Sequence, residues 1–529
     1  MKKTGNLLIL ILMVFVPLLL ITCGDGAGDV VFVAVTNISG LPSTGTVAVP
    51  ITLNGIVEPA EATNKSIAWS IVDDGYTGAI LGGPDMNVLT TAAAGTPTIR
   101  ATIANGTVSG DYTQDFSVTF SNNFIPVTDI TNLPVAEVLG KTYWFSSSSG
   151  TIVPSDASAG IYNTTWSIVD PGTTGATMTF SGTLSNTAIG TVRMRATIAN
   201  GSAIGTPFTK DFDFKIVSPL TEWKQVSSKP FTEAINCIEY YPNGKIFIAG
   251  SVDGRIATSP DGNSWTIRTS PFPSKGDTIS DIKIADTMVF AVGGYTIAWS
   301  DNGTTWTSIS VPFSFPNIMA FYYDSAGKYY YVAGYGASNN IAYSTSGTSG
   351  WTQIDITVIT ESINAIGKNN YLAVGNNGFN AVALKGYWVT YPTLLGGSHI
   401  YCVGGIGAYP SQQDDVVGGA GGKIAFRPYT TSTWTNIPAG AVNNTTSTFS
   451  SGTSINALEE GSKGYYRYLL AGGTNGGLAI SPNGKNWSAI PSADAKIYGT
   501  TVICDIAFGN NTFVAVGSDG TIVYTTLAD

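Results

Sequence analysis

An all-β chain is predicted, with two tandem β-sandwiches followed by a seven-bladed β-propeller closed by its own N- and C-terminal strands. Three observations carry that expectation. Of 529 residues only 11% are charged, while 62 are Gly and 25 are Tyr. So few Lys and Glu cannot cover helix surfaces, whereas Thr, Val, Ile and aromatics suit pleated strands and Gly and Asn suit their turns. A motif set recurs once at about 95 residues in the first half. A shorter unit of 37–53 residues, measured from Trp to Trp, then recurs to the C-terminus.

Residues 1–22 read as an export signal, with Lys2 and Lys3 ahead of an apolar run from Leu7 to Ile21 that is short for a membrane-spanning helix. It ends in Leu20-Ile21-Thr22-Cys23, which resembles the lipobox of bacterial lipoproteins. The resemblance implies acylation of Cys23, with 23–33 as a lipid-anchored tether; the alternative is an ordinary signal peptide with an incidental Cys. Gly24 stands where inner-membrane retention would put Asp, which implies an outer-membrane lipoprotein, surface-exposed or facing the periplasm. Multiple acyl chains would hold it firmly, so the expected membrane contact is the lipid. A net charge of −10 without a basic run excludes nucleic acid as a partner class, and with it a polybasic membrane patch.

Residues 34–121 and 125–217 form the repeated pair. Ala68-Trp69-Ser70-Ile71-Val72-Asp73 returns as Thr165-Trp166-Ser167-Ile168-Val169-Asp170. Ile99-Arg100-Ala101-Thr102-Ile103-Ala104-Asn105-Gly106 returns as Met194-Arg195-Ala196-Thr197-Ile198-Ala199-Asn200-Gly201. The length and the short alternating segments suit a seven-stranded Greek-key sandwich. The motifs resemble the bacterial immunoglobulin-like domains of intimin- and invasin-type surface proteins, which implies a stalk.

From 218 to 529 the recurring phrase is Ser-x-[Asp/Asn]-Gly-x-x-Trp. It stands as Ser259, Asp261, Gly262 and Trp265, as Ser300, Asn302, Gly303 and Trp306, and as Ser481, Asn483, Gly484 and Trp487. A looser copy runs from Ser344 to Trp351, and degenerate ones end at Trp388 and Trp434. The last repeat stops before any Trp, and Thr221-Glu222-Trp223-Lys224 is an opening strand without predecessors; joining them makes a seventh blade. The boxes resemble the Asp-box (BNR) hairpins of sialidase-like propellers. In them the acid or amide caps the turn, Gly takes positive φ and Trp packs, so they are read as folding devices.

Sialidase chemistry, as that resemblance would imply it, needs an arginine triad, and the propeller holds only Arg255, Arg268, Arg427 and Arg467. With a single His, His399, the chain lacks the parts of a catalytic triad or a metal centre, so neither cofactor nor metal is expected. Glu233 and Glu361 precede the inner strands of blades one and four on connections that open toward the expected ligand face, and count among its candidate binding residues, but stand too far around the ring for a paired-carboxylate hydrolase. The expected ligand face gathers the loops after each second strand, with Tyr295, Tyr335, Phe379, Asn339 and Asn376, joined by Asp253 and Arg255. Aromatic faces beside amides suit sugar rings. The expectation is a non-enzymatic module that binds a glycan or protein, the alternatives being a sialidase-like glycoside hydrolase and a periplasmic assembly factor. Cys237, Cys402 and Cys504 are placed at one equivalent inner-strand position. Three free thiols are favoured over a Cys237–Cys504 disulfide, because equivalent positions on neighbouring blades lie too far apart.

Overall fold

The computed structural model describes residues 31–529 apart from 147, 162–163, 204, 273–276, 312–316, 336–340, 355–358, 360, 368–371, 385–386, 408–412, 438–448, 450–451, 492–493, 495, 498–500 and 529. The export segment, Cys23 and Asn339 therefore lie outside the described residues. The chain divides into two compact units, Met1–Ile125 and Pro126–Asp529.

In the first unit, Ala68–Asp73, Thr98–Thr107 and Gly110–Ser117 make one antiparallel sheet, and Ile51–Thr52, Val88–Thr90 and Ile80–Gly82 make another. Thr98–Thr107 explains the packing: Ile99, Ala101 and Ile103 are buried at every second position, as a one-faced strand requires. Trp69 packs against two buried clusters, one around Leu53, Leu89 and Phe120 and one around Ile38 and Ile103. Arg100 and Asp115 face each other across two strands at 2.7 Å.

The second repeat opens the second unit and follows the same plan. Ala136–Val138, Thr206–Val217, Gly190–Ala203 and Thr164–Asp170 form one sheet, and Trp166 again touches two clusters. Arg195 pairs with Asp211 where Arg100 pairs with Asp115.

The rest of the chain is a β-propeller. Among the described residues it comprises seven four-stranded antiparallel sheets, with inner strands Ile235–Tyr241, Asp281–Ala285, Asn317–Asp324, Ile363–Ile366, Ile400–Ile406, Ile455–Lys463 and Ile503–Gly509. These belong to blades one to seven in chain order. Each inner strand lies beside the next, and that of blade seven lies beside that of blade one. Lys224–Gln225 is the outer strand of blade seven, paired antiparallel with Ile522–Thr526. Ala528 N–H to Pro219 O and Thr221 N–H to Thr526 O extend that seam.

The boxes tie each blade to the preceding one. In blade one, Ser259 Oγ accepts Gly262 N–H at 2.8 Å, and Asp261 Oδ1 accepts Asn263 and Ser264 N–H at 2.9 and 2.7 Å. Asn302 and Asn483 repeat this with their amide oxygens. A Cβ on Gly262, at φ +78°, would come within 2.6 Å of Val514 in blade seven, and one on Gly484 within 2.9 Å of Val416 in blade five. The box Gly thus serves both the turn and a close blade–blade approach.

Candidate binding face and central channel

Alternating strand direction puts the box hairpins and the strand 1–2 turns at one rim, here the box rim. The strand 2–3 loops and the links between blades lie at the other, the open rim. The second repeat occupies part of the box rim. Tyr468, near the start of the second strand of blade six, donates its hydroxyl to Leu139 O at 2.9 Å, and Ile189 N–H donates to Ser488 Oγ at 2.8 Å. Lys141 Nζ sits 5.1 Å over the Tyr466 ring. One buried cluster runs from Leu139, Val192 and Phe214 through Tyr468 to Ile490 and Trp223.

The open rim carries the sequence-predicted binding residues. Tyr295 and Tyr335 are 51% and 57% exposed. Tyr295 lies in the turn between the second and third strands of blade two, and Tyr335 ends the second strand of blade three. Gly294 O accepts Ile318 N–H, and the neighbouring Asn317 pairs with Tyr335, which makes them neighbours. Phe379 does not join them. It is half-buried and packs against the core shared by blades three and four, so it lacks the open ring face a sugar would stack on. Asn376 also does loop work: its N–H donates to Ser362 O and its Oδ1 accepts Asn364 Nδ2 at 3.1 Å.

Asp253 and Arg255 pair with each other at 2.5 Å, which lowers the Asp253 carboxyl and raises the guanidinium. Glu233 is exposed beside Thr232, whose hydroxyl accepts from Arg255 at 3.3 Å. Glu361 accepts Asn377 Nδ2 at 2.9 Å, and Asn377 N–H donates to His399 Nδ1 at 3.1 Å. The four propeller arginines are each engaged within their own blade: Arg255 with Asp253, Arg268 with Thr258, Arg427 with Asp415 and Arg467 with Glu460.

The inner strands enclose a central channel of about 500 Å³. A bulge near the start of most of these strands aims one side chain at the next blade. Asn236, Asn364 and Asn456 donate to Ile279 O, Ile400 O and Ile503 O at 3.2, 2.8 and 3.2 Å. One position further on, Asp281 accepts Phe321 N–H and Asp505 accepts Ile238 N–H, both at 2.9 Å. In sequence these latches stand only as an Asn directly after an Ile, or an Asp two residues after one.

The strand register corrects the placement of the cysteines. Cys237 and Cys402 pair with Gly250 and Gly418, but in blade seven that slot belongs to Asp505, opposite Val516. Cys504 occupies the bulge slot of Asn236, one residue earlier: Ile503-Cys504-Asp505-Ile506 aligns with Ile235-Asn236-Cys237-Ile238, and both strands bulge at the same place. All three thiols are free, with Cys237 and Cys402 buried and Cys504 partly exposed. Burial, reinforced by Asp281 and Asp505, pushes the Cys237 thiol well up, and burial pushes Cys504 up to about 12.

Lys283 reaches into the channel, 3.1 Å from Asp281 and 3.6 Å from Glu239. Burial opposes its charge, but Asp281, Glu239 and Asp505 outweigh burial and hold the ammonium well above its usual range. Burial raises the Asp505 carboxyl to about 6, against the pull of Lys283. The arrangement is an electrostatic staple joining blades seven, one and two, and sequence reasoning missed it because Glu239 and Asp505 lie in other repeats, far along the chain from Asp281 and Lys283.

No protein-family model and no curated protein matches this chain. Among solved structures it is similar to YCF48 bound to D1 peptide, at 16% identity over 58% of this chain and 98% of that chain, with a TM-score of 0.45. YCF48 from Cyanidioschyzon merolae gives 17% identity over 58% and 99% of the two chains, with the same score. The WD40 repeats of RRP9 give 10% over 58% and 98%, again at 0.45. The propeller described above rests on its own sheet topology.

Proposed function

We propose that this chain is a cell-envelope lipoprotein whose propeller is a binding module for a glycan or protein. Acylated Cys23 is its anchor and two immunoglobulin-like domains are its stalk. The observation that carries the reading is the asymmetry of the two rims. The second repeat packs on the box rim at blade six, while the open rim keeps Tyr295 and Tyr335 exposed on adjoining blades. Aromatic rings offered to solvent from a tight turn and a strand end give contact area at low entropic cost, and the ring of seven blades supplies the rigidity. Nothing in this role calls for bond-making chemistry.

The test is a glycan-array and host-matrix screen with the chain from residue 24, beside the double variant Tyr295→Ala/Tyr335→Ala. The propeller cannot be excised at 218, because its blade-six core is completed by Leu139 and Phe214. Binding that the double variant loses places recognition at the open rim. A folded chain that binds nothing sinks the adhesin reading in favour of an internal scaffolding partner.

A further inference from the structure

The second repeat carries two exposed aromatics that its own fold does not use. Trp144 is 65% exposed and Phe180 is fully exposed. They meet at one hairpin tip. Trp144 pairs with Thr183 in the ladder, its indole N–H donates to Ser181 O at 3.0 Å, and Phe180 is the residue before that serine. The hydrogen bond fixes the orientation of the indole while leaving the ring in solvent.

The first repeat shows that the fold does not require them. Thr52 holds the register position of Trp144 there, paired with Val88 as Trp144 is with Thr183, and both are followed by a buried residue, Leu53 or Phe145. The propeller does not cover the tip either. Thr183–Ser185 runs from it to Asn186, whose side chain holds Gly140 and Lys141 at the propeller contact, so the aromatics stand at the other end of that strand.

The surroundings specify the ligand chemistry. No Lys, Arg, Asp or Glu occurs from 142 to 155 or from 171 to 192, in a chain of net charge −10. Hydroxyls take their place: Thr179 and Ser181 Oγ atoms lie 2.8 Å apart, and Ser146 and Ser148 Oγ atoms 2.9 Å apart. An uncharged surface of fixed aromatic faces and hydroxyls matches a neutral sugar. A pyranose offers one apolar C–H face to stack and hydroxyls that both donate and accept, whereas a charged partner would find no counter-charge here.

We propose that the Trp144–Phe180 tip is a second, separate contact site for a neutral polysaccharide, with the sugar ring stacked on the indole. The test is affinity electrophoresis of the chain from residue 24 in gels containing galactomannan, mixed-linkage β-glucan or xylan. Trp144→Ala, Phe180→Ser and the open-rim double variant Tyr295→Ala/Tyr335→Ala run alongside. At least one polysaccharide should retard the chain, and each of the first two variants should weaken that retardation roughly tenfold, equivalent to about 1.4 kcal/mol. The tyrosine variant should leave it unchanged, so this site and the open rim fail independently. Phe180→Ser guards against a folding artefact, since that side chain is fully exposed. Retardation by none of the three polymers, or retardation indifferent to both variants, overturns the proposal. Sedimentation with phosphatidylcholine vesicles that both variants abolish, without polysaccharide binding, overturns it in favour of a membrane contact.

Discussion

The two repeats of the N-terminal half share one strand-pairing plan, and one of the places where they differ is a corner at one end of the unit. In the first repeat the corner is Val47, Ala48 and Ala94, with Val47 partly exposed and the other two exposed. In the second, the same register holds Leu139, Gly140 and Ile189, with Leu139 fully buried against blade six. Val47 and Leu139 donate to equivalent carbonyls, Ser121 O and Val217 O, so the backbones correspond atom for atom. A β-unit of this kind becomes part of a larger core by changing three side chains at one end, leaving its sheets as they were.

The largest effect should come from breaking the buried member of the pair. Leu139→Asp puts a carboxylate where Tyr468, Val192 and Phe214 pack, which should cost about 3 kcal/mol or more. Calorimetry should show a transition shared by the second repeat and the propeller splitting in two, and proteases should cut near 218–220. Val47→Asp, at the same register, should cost clearly less, because Val47 is only partly buried against the Leu89–Phe120 cluster. Equal losses from both would mean that the corner, and not the propeller contact, sets the stability.

Gly140→Ala sharpens the comparison with a smaller change. Ala48 and Gly140 both have positive φ, +63° and +77°. The first repeat therefore tolerates a Cβ in this turn, whereas on Gly140 one would meet Pro482 at 3.0 Å. The substitution should cost about 1–2 kcal/mol, part backbone strain and part displacement of Pro482. The reciprocal Ala48→Gly should stabilise the first repeat by up to about 1 kcal/mol, because only the strain is relieved. Denaturation midpoints of the two variants separate the terms.

What was legible in the sequence follows the same division between local and non-local causes. The repeats and the box hairpins were readable because their motifs rest on residues within a few positions of one another, such as Ser259 and Gly262. The shared first-and-last blade, which pairs Lys224 with Tyr524, was readable because the repeat was incomplete at both ends. The exposed positions of Tyr295 and Tyr335 were readable because they follow strand ends. Phe379 was misplaced because the same loop position is filled inward in blade four, where packing against the blade-three core decides the rotamer. Cys504 was misaligned because it was matched to Cys237 by residue type, whereas the flanking Ile503 and Ile506 put it level with Asn236. The contact of Leu139 with Tyr468 joins residues 329 positions apart, and no local pattern announces it.

The smallest expected effect lies in the latch across each repeat, and it turns on pH. In the first repeat, Gln114 Nε2 donates to Asn37 Oδ1 at 3.1 Å and to Ile38 O at 3.2 Å. In the second, Lys210 Nζ makes the equivalent contacts to Asp129 at 2.6 Å and Ile130 O at 2.7 Å. A neutral amide pair and an ion pair thus do the same job in one fold. The Lys210 hydrogen bond, with help from Ile130 N–H, holds the Asp129 carboxyl below its usual range. A lowered folded-state pKa contributes stability that is present above the unfolded value of about 3.9 and is lost as pH falls through the folded value. Acidification through that window should weaken the second latch more than the first, whose Asn37 also donates to Glu58 at 3.1 Å, a carboxyl that Ser39 and Asn37 hold below its usual range. Both partners are solvent-exposed, so the neutral-pH contribution is small and salt-sensitive. The double variant Asp129→Asn/Lys210→Gln should keep the neutral-pH melting temperature and remove this part of the acid dependence. Asn37→Asp/Gln114→Lys should install it in the first repeat once Glu58→Gln removes the carboxylate that Asn37 Nδ2 meets at 3.1 Å. Amide hydrogen exchange at Ile130 and Ile38, followed from pH 5 to pH 3 after correction for intrinsic rates, reads the two latches separately. If Ile38 in the native chain loses protection in step with Ile130, the acid response belongs to the fold and not to the ion pair.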